Sequence, residues 1–252
     1  MTTQEPKDVA SRRHVVFSPV EWGQDELTGF LIAAEKNAMA RFANRNDDFS
    51  LLVEVDKLFR LVVQNIDNTE EWFEAFFLLR SHSAFLATVR LAVSGQASES
   101  YATSRQCIEF ALYGFYLFRH KNLQELWLSR TESKGHRQKV RDTFKSNQMF
   151  TQLMNDDPVH GKAAKVLYER AIDLGAHPNE ESMTTTMNII RDGDKQVMQG
   201  IYLHGDDVQT ECAVKTAAQV GITSLCIFRN VFKHRYDIIG ITEALDHVKK
   251  SL

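Results

Sequence analysis

Arg229, Asn230, His234 and Tyr236 fall inside one short run, Arg229-Asn230-Val231-Phe232-Lys233-His234-Arg235-Tyr236. A guanidinium, an amide, an imidazole and a phenol this close in sequence make a compact kit for handling a phosphate. Cleavage of RNA by side chains alone needs a base for the 2′-hydroxyl proton, an acid for the leaving oxygen and positive charge on the developing phosphorane. The cations Lys233 and Arg235 flank the imidazole. Their charge disfavours the protonated form and suits a base at neutral pH. Geometry sets a condition, because five positions along one straight helix turn Arg229 and His234 about 140° apart. A working site therefore requires the helix to break before His234, or a second copy of the chain to supply the missing half.

The arginine, the adjacent asparagine, the histidine and the tyrosine two beyond it resemble the motif of the HEPN superfamily, over about the last 45 residues. The resemblance implies a metal-independent endoribonuclease or a degenerate RNA-binding relative, working as a homodimer with composite sites and needing no cofactor. On that reading His234 moves the proton, Arg229 steadies the phosphate and Asn230 orients one of them. Tyr236 binds substrate or is the target of a modifying nucleotidyltransferase partner. A separate likeness, to bacterial all-helical proteins from which no activity carries over, rests on Ala176-His177-Pro178-Asn179, on Tyr168 and Arg170, and on Arg105 with Glu109.

A plainer reading stays open beside this one. Ile227, Phe228 and Val231 are core residues on it, and Arg229, Lys233 and Arg235 are ordinary cations near a helix C-terminus, where cations are favoured. The chain is then a non-enzymatic helical scaffold or interaction protein. Elsewhere, Lys134, Arg137, Arg141 and Lys145 recur at spacings of three and four. One basic helical face results, able to meet a phosphate backbone together with Lys233 and Arg235 or simply to be solvated. Arg105 and Glu109, four apart among apolar residues, are expected to form a structural ion pair. His177 precedes a proline and should end its helix. His204-Gly205-Asp206-Asp207 reads as a hairpin exit followed by a helix cap. The sequence has no Glu-x-x-His pair, no His-Glu-x-x-His, no phosphate-binding glycine loop and no Gly-x-Ser-x-Gly elbow.

The elements that must position these residues are helical. Ser18-Pro19-Val20-Glu21 has capping-box spacing and predicts a helix running to Asn44, and a second is expected from about 48 to 66. A long helix opening at Asn68 and stopping at Gly95 is followed by one capped by Ser98 and ending near Arg119. The short link makes the pair an antiparallel hairpin at the centre of the fold. Shorter helices follow, one of them opened by Pro158. The stretch 184–203, with Asp192-Gly193-Asp194 between apolar halves, has a strand period and predicts one β-hairpin. Such a hairpin must pack on the helices or pair with a copy of itself. A helix capped by Asp206 is expected to run to His234 or Tyr236, with a last one from Thr242 to Lys250. The fold class is mainly α, a multi-helix bundle in one domain over 18–252, preceded by a flexible tail over 1–17.

Composition supports that organisation. The 252 residues are 43% hydrophobic and 25% charged, with 12 glycines and 4 prolines, which suits a sizeable helical core with few breaks. A formal charge of −3 leaves nucleic-acid or membrane binding to local patches. Cys107, Cys212 and Cys226 are widely spaced and form no Cys-x-x-Cys pair, which argues against a zinc site or disulfide framework and for reduced thiols in the cytoplasm. The polar opening to Arg13 lacks the apolar core of a secretory signal, and Phe110–Phe118 is too short to span a membrane.

Overall fold

A computed structural model describes residues 19–66, 69–193 and 195–250. The expected tail, the Ser18 cap, the Asn68 cap and Asp194 lie outside the described residues. The chain is mainly helical, with a long antiparallel helix pair and a two-stranded β-hairpin. In chain order the helices are α1 (Glu26–Asn44), α2 (Asn46–Gln64), α3 (Trp72–Val93), α4 (Ala97–Arg119), α5 (Gln124–Leu128), α6 (Lys134–Thr143), α7 (Ser146–Asp156), α8 (Pro158–Ala171) and α9 (Glu180–Thr184). The strands β1 (Met187–Asp192) and β2 (Lys195–Gly200) come next, then α10 (Val208–Arg229), α11 (Lys233–Ile238) and α12 (Ile241–Lys249).

Four boundaries differ from the sequence expectation. Ser98 does not cap α4 but lies inside it and donates to the Leu174 carbonyl at 3.4 Å, leaving Gln96 at the N-cap after the turn at Gly95. The first helix begins at Glu26, because Glu21 and Gly23 take positive φ and break the backbone. Asp25 then caps it by accepting from the Thr28 N–H. Asp207 rather than Asp206 caps α10, accepting from Thr210 N at 2.9 Å, while Asp206 pairs with Arg41 and Arg45. Finally, α10 stops at Arg229 instead of continuing through His234, and the chain turns over Asn230–Phe232 before α11.

The centre holds more than the α3–α4 pair. From Val220 to Phe228 every residue of α10 is buried, against α2, α3, α4 and α8. A helix apolar on all sides is one enclosed by others. Gly221 permits the close approach, since a Cβ there would stand 2.6 Å from Val55 Cγ1 and 2.7 Å from Phe85 Cε2. Gly95, at φ +89°, makes the sharp turn between α3 and α4 and accepts from His204 N at 2.8 Å, pinning the entry to α10 onto that turn. His177 is extended before Pro178, as its position requires. By length and composition α3 could cross a membrane, but half of that stretch is buried inside the protein.

The β-hairpin pairs Met187 with Gly200 through Asp192 with Lys195. It stands clear of the bundle: all of β2 is exposed, with Ile189, Ile190, Val197 and Met198 among its solvent-facing residues.

Candidate functional site

The last turn of α10, the start of α8 and the end of α12 meet around one imidazole. Asp157 is the N-cap of α8, and its side chain accepts from His160 N at 3.2 Å, with Pro158 in the first helical turn. The same carboxylate lies 3.0 and 2.8 Å from His160 Nδ1 and accepts from Asn230 Nδ2 at 3.1 Å. Asn230 also donates to the Cys226 carbonyl at 3.2 Å, which ties the amide to the end of α10. An ionised carboxylate only accepts, so His160 carries its proton on Nδ1. Its Nε2 presents a lone pair to Lys249 Nζ at 3.1 Å, and Lys249 also donates to Asp246 at 3.1 Å. Three helices therefore fix one tautomer and one ring orientation.

The electrostatics follow from these contacts. Burial opposes ionisation of Asp157, but hydrogen bonds from Asn230 and His160 outweigh it and hold the carboxyl below its ordinary value. Burial lowers the His160 pKa, the Asp157 carboxylate partly restores it, and the Lys249 and Arg229 charges lower it further. The imidazole is neutral at pH 7. Burial likewise raises the Cys226 thiol, with Lys249 and Arg229 offsetting part of the shift. Arg229 is half-buried, and its charge also acts on Tyr236 and Asp246.

Beside His160 a cleft of about 470 Å³ runs between α8 and α10. Val166 and Ile222 contribute to its apolar wall, Lys162, Arg170 and Lys249 bring positive charge, and no carboxylate among the described residues lines it. Arg170 is anchored by Gln219 Oε1 at 2.9 Å, whereas Lys162 is exposed. The arrangement suits an anion with an apolar body. Among the described residues, no group of three or more His, Cys, Asp or Glu side chains could hold a metal ion.

The residues expected to act together are distributed differently. Asn230 belongs to the His160 centre through its bond to Asp157, and Arg229 acts on it through its charge. His234 is exposed on α11 with no hydrogen bond or ion pair among the described residues. Tyr236 is fully buried and donates to the Leu225 carbonyl at 3.1 Å, with its pKa driven well up by burial. Its hydroxyl is thus out of reach of a substrate or a modifying partner. Lys233 is exposed, while Arg235 donates to the Asn65 carbonyl at 2.7 Å and fastens α11 to the end of α2. Lys134, Arg137 and Arg141 are exposed on α6, but the buried Phe144 ends that helix and Lys145 starts the next. The four cations do not share a single helical face. Arg105 Nε and Glu109 Oε1 pair at 2.9 Å, and Tyr168 donates to the same carboxylate at 3.1 Å, so the pair bridges α4 and α8.

Asp157, His160 and Lys249 did not stand out in the sequence. Asp157-Pro158-x-His160 carries a readable signal, a capping acid three residues before a histidine, which places carboxylate and imidazole on the same first turn. Lys249 carries none, since only the path of α12 brings it back to α8.

Fold and site together define a mainly helical protein with a half-buried Asp-His-Lys centre opening on a cationic cleft. No protein-family model, no curated protein and no solved structure matches the chain.

Proposed function

We propose that the protein is directed at RNA and that His160, rather than His234, is its proton-handling group. The observation that carries this reading is that Asn230 shares one polar centre with Asp157, His160 and Lys249, within reach of the Arg229 charge, at the edge of a cleft with apolar wall and positive rim. A nucleotide offers the matching pair of surfaces, an apolar base and an anionic phosphate. In cleavage, His160 Nε2 takes the 2′-hydroxyl proton as the 2′-oxygen bonds to phosphorus. The P–O5′ bond then breaks and the imidazolium returns the proton to the leaving oxygen. A 2′,3′-cyclic phosphate and a 5′-hydroxyl result. Asp157 holds the tautomer and balances the imidazolium, while Lys249 and Arg229 offset charge on the phosphorane.

The test is cleavage and binding of single-stranded RNA by the folded chain. His160→Ala should lower cleavage about 10²–10⁴-fold, and His234→Ala should change it less than tenfold. The reverse outcome would return the acid–base role to α11 and require a second copy to complete it. Absence of both binding and cleavage in the folded wild type would overturn the RNA reading.

A second reading, as an interaction protein, is favoured by the outward stripe of α3, where Trp72, Phe76, Leu79 and Leu86 are exposed, and by the solvent-facing apolar residues of the hairpin. Surfaces of this kind mark sites of association. On this reading the proposed homodimer forms through one of them, and light scattering of wild type against Phe76→Lys and Ile190→Lys checks it.

A further inference from the structure

The contact between Lys249 and His160 poses a problem for any chemistry at Nε2. A neutral imidazole has one lone pair, and here it is spent on the ammonium at 3.1 Å. The ring cannot accept a substrate proton until Lys249 moves. Lys249 is well placed to do so: it is the last residue of α12, its side chain is 28% exposed, and it lines the same cleft. An ammonium has three donors. One is on Nε2 and one on Asp246, which is itself exposed.

We infer that the cleft between α8 and α10 is a phosphate site in which the bound phosphate draws Lys249 off His160 and so frees Nε2 to take a proton. This inference rests on the reading of the cleft given above and adds to it a means by which the ligand itself switches on the base. A phosphate oxygen is a charged acceptor and forms a stronger bond with an ammonium than a neutral ring nitrogen does. Lys162 and Arg170 stand on the same cleft to share the anion, and no carboxylate among the described residues of the lining opposes it. The charged groups acting on His160 are Asp157 on its own helix, Arg229 from α10, and Lys249 with Asp246 from α12, and the Cys226 thiol of α10 lines the same cleft. Only Lys249 both touches the ring and reaches the cleft. Asp157 stays on Nδ1 throughout, so the ring keeps its orientation while its other nitrogen is exchanged from lysine to substrate.

The experiment is an NMR pH titration of the full chain with labelled histidines, the His160 signal assigned by its loss in His160→Gln. Inorganic phosphate is compared with chloride at equal ionic strength. With phosphate the proton affinity of His160 should rise about tenfold, one unit in midpoint. Lys249→Met should show the raised midpoint without phosphate and no further response to it. An unchanged wild-type midpoint in phosphate overturns the inference, as does a full phosphate response in folded Lys249→Met. If Lys249→Met does not fold, as judged by circular dichroism, the wild-type titration decides. An RNA dinucleotide without a terminal phosphate forms the separate arm. A response to phosphate but not to the dinucleotide keeps the latch and counts against RNA, whereas RNA cleavage with an unmoved His160 midpoint sinks the latch alone.

Discussion

His160 and His234 are the two ends of a contrast that runs through the C-terminal half of the molecule. One is caged, with Nδ1 on Asp157, Nε2 on Lys249, and Arg229 close enough to depress its pKa. The other lies on the surface of a short helix with no partner among the described residues. The caged imidazole is the one far in sequence from Arg229 and Asn230, and the free one is their near neighbour. Proximity along a chain is poor evidence for proximity in space when a turn intervenes. Here the turn at Asn230–Phe232 sends Asn230 inward to Asp157 and leaves His234 outside.

Removing each imidazole in turn breaks the contrast most sharply. General acid–base catalysis contributes about 10²–10⁴-fold, so His160→Ala is expected to lower RNA cleavage by that factor while His234→Ala changes it less than tenfold. Rates with both variants folded check this, and equal losses would erase the distinction between the two sites.

Tyr236 supplies the next largest effect, on stability rather than rate. It is fully buried with its hydroxyl on the Leu225 carbonyl, so Tyr236→Ala opens a cavity and should cost about 3–5 kcal/mol. Tyr236→Phe removes one hydrogen bond and should cost about 1 kcal/mol. Chemical denaturation measures both. A Tyr236→Phe protein as stable as wild type but inactive would give the phenol back its chemical role.

What the sequence disclosed follows the physics of each signal. Helices were legible because apolar periodicity is local, and the hairpin because Asp192-Gly193 sits between apolar halves. The Arg105–Glu109 pair was legible because four residues along a helix always face the same way. The stop of α10 at Arg229 was not, because Asn230-Val231-Phe232 contains neither glycine nor proline, and burial of Val231 and Phe232 directs the turn there. The His160 centre is assembled by tertiary packing of α8, α10 and α12, and only its Asp157–His160 half is local.

A smaller effect is expected on pH dependence. Burial lowers the folded-state pKa of His160 below the ordinary 6.5, so the unfolded chain takes the proton more readily. Stability is then full above that value and falls as pH drops through 6.5 toward the folded pKa, with a slope of at most about 1.4 kcal/mol per pH unit for one proton. His160→Gln should flatten the slope below pH 6.5. The depressed Asp157 acts lower, losing its contribution only as pH falls below 3.8. Denaturation midpoints across that range separate the two groups.

Asn230 gives the finest test, because it belongs to the sequence motif and yet acts on the residue the motif omits. Asn230→Ala removes the hydrogen bonds to Asp157 and to the Cys226 carbonyl, at a cost of about 1–2 kcal/mol. Asp157 keeps its bonds to His160, so the ring stays seated and the loss in rate should be modest. Asn230→Asp is nearly the same size but places a second carboxylate against the first, and like charges at that distance push one of them toward protonation. A protonated Asp157 no longer fixes the tautomer at Nδ1. Asn230→Asp should therefore lower activity more than Asn230→Ala does and recover part of it as pH rises. Were Asn230 instead serving His234, neither substitution would move the His160 titration, and the aspartate variant would gain nothing from a change of pH.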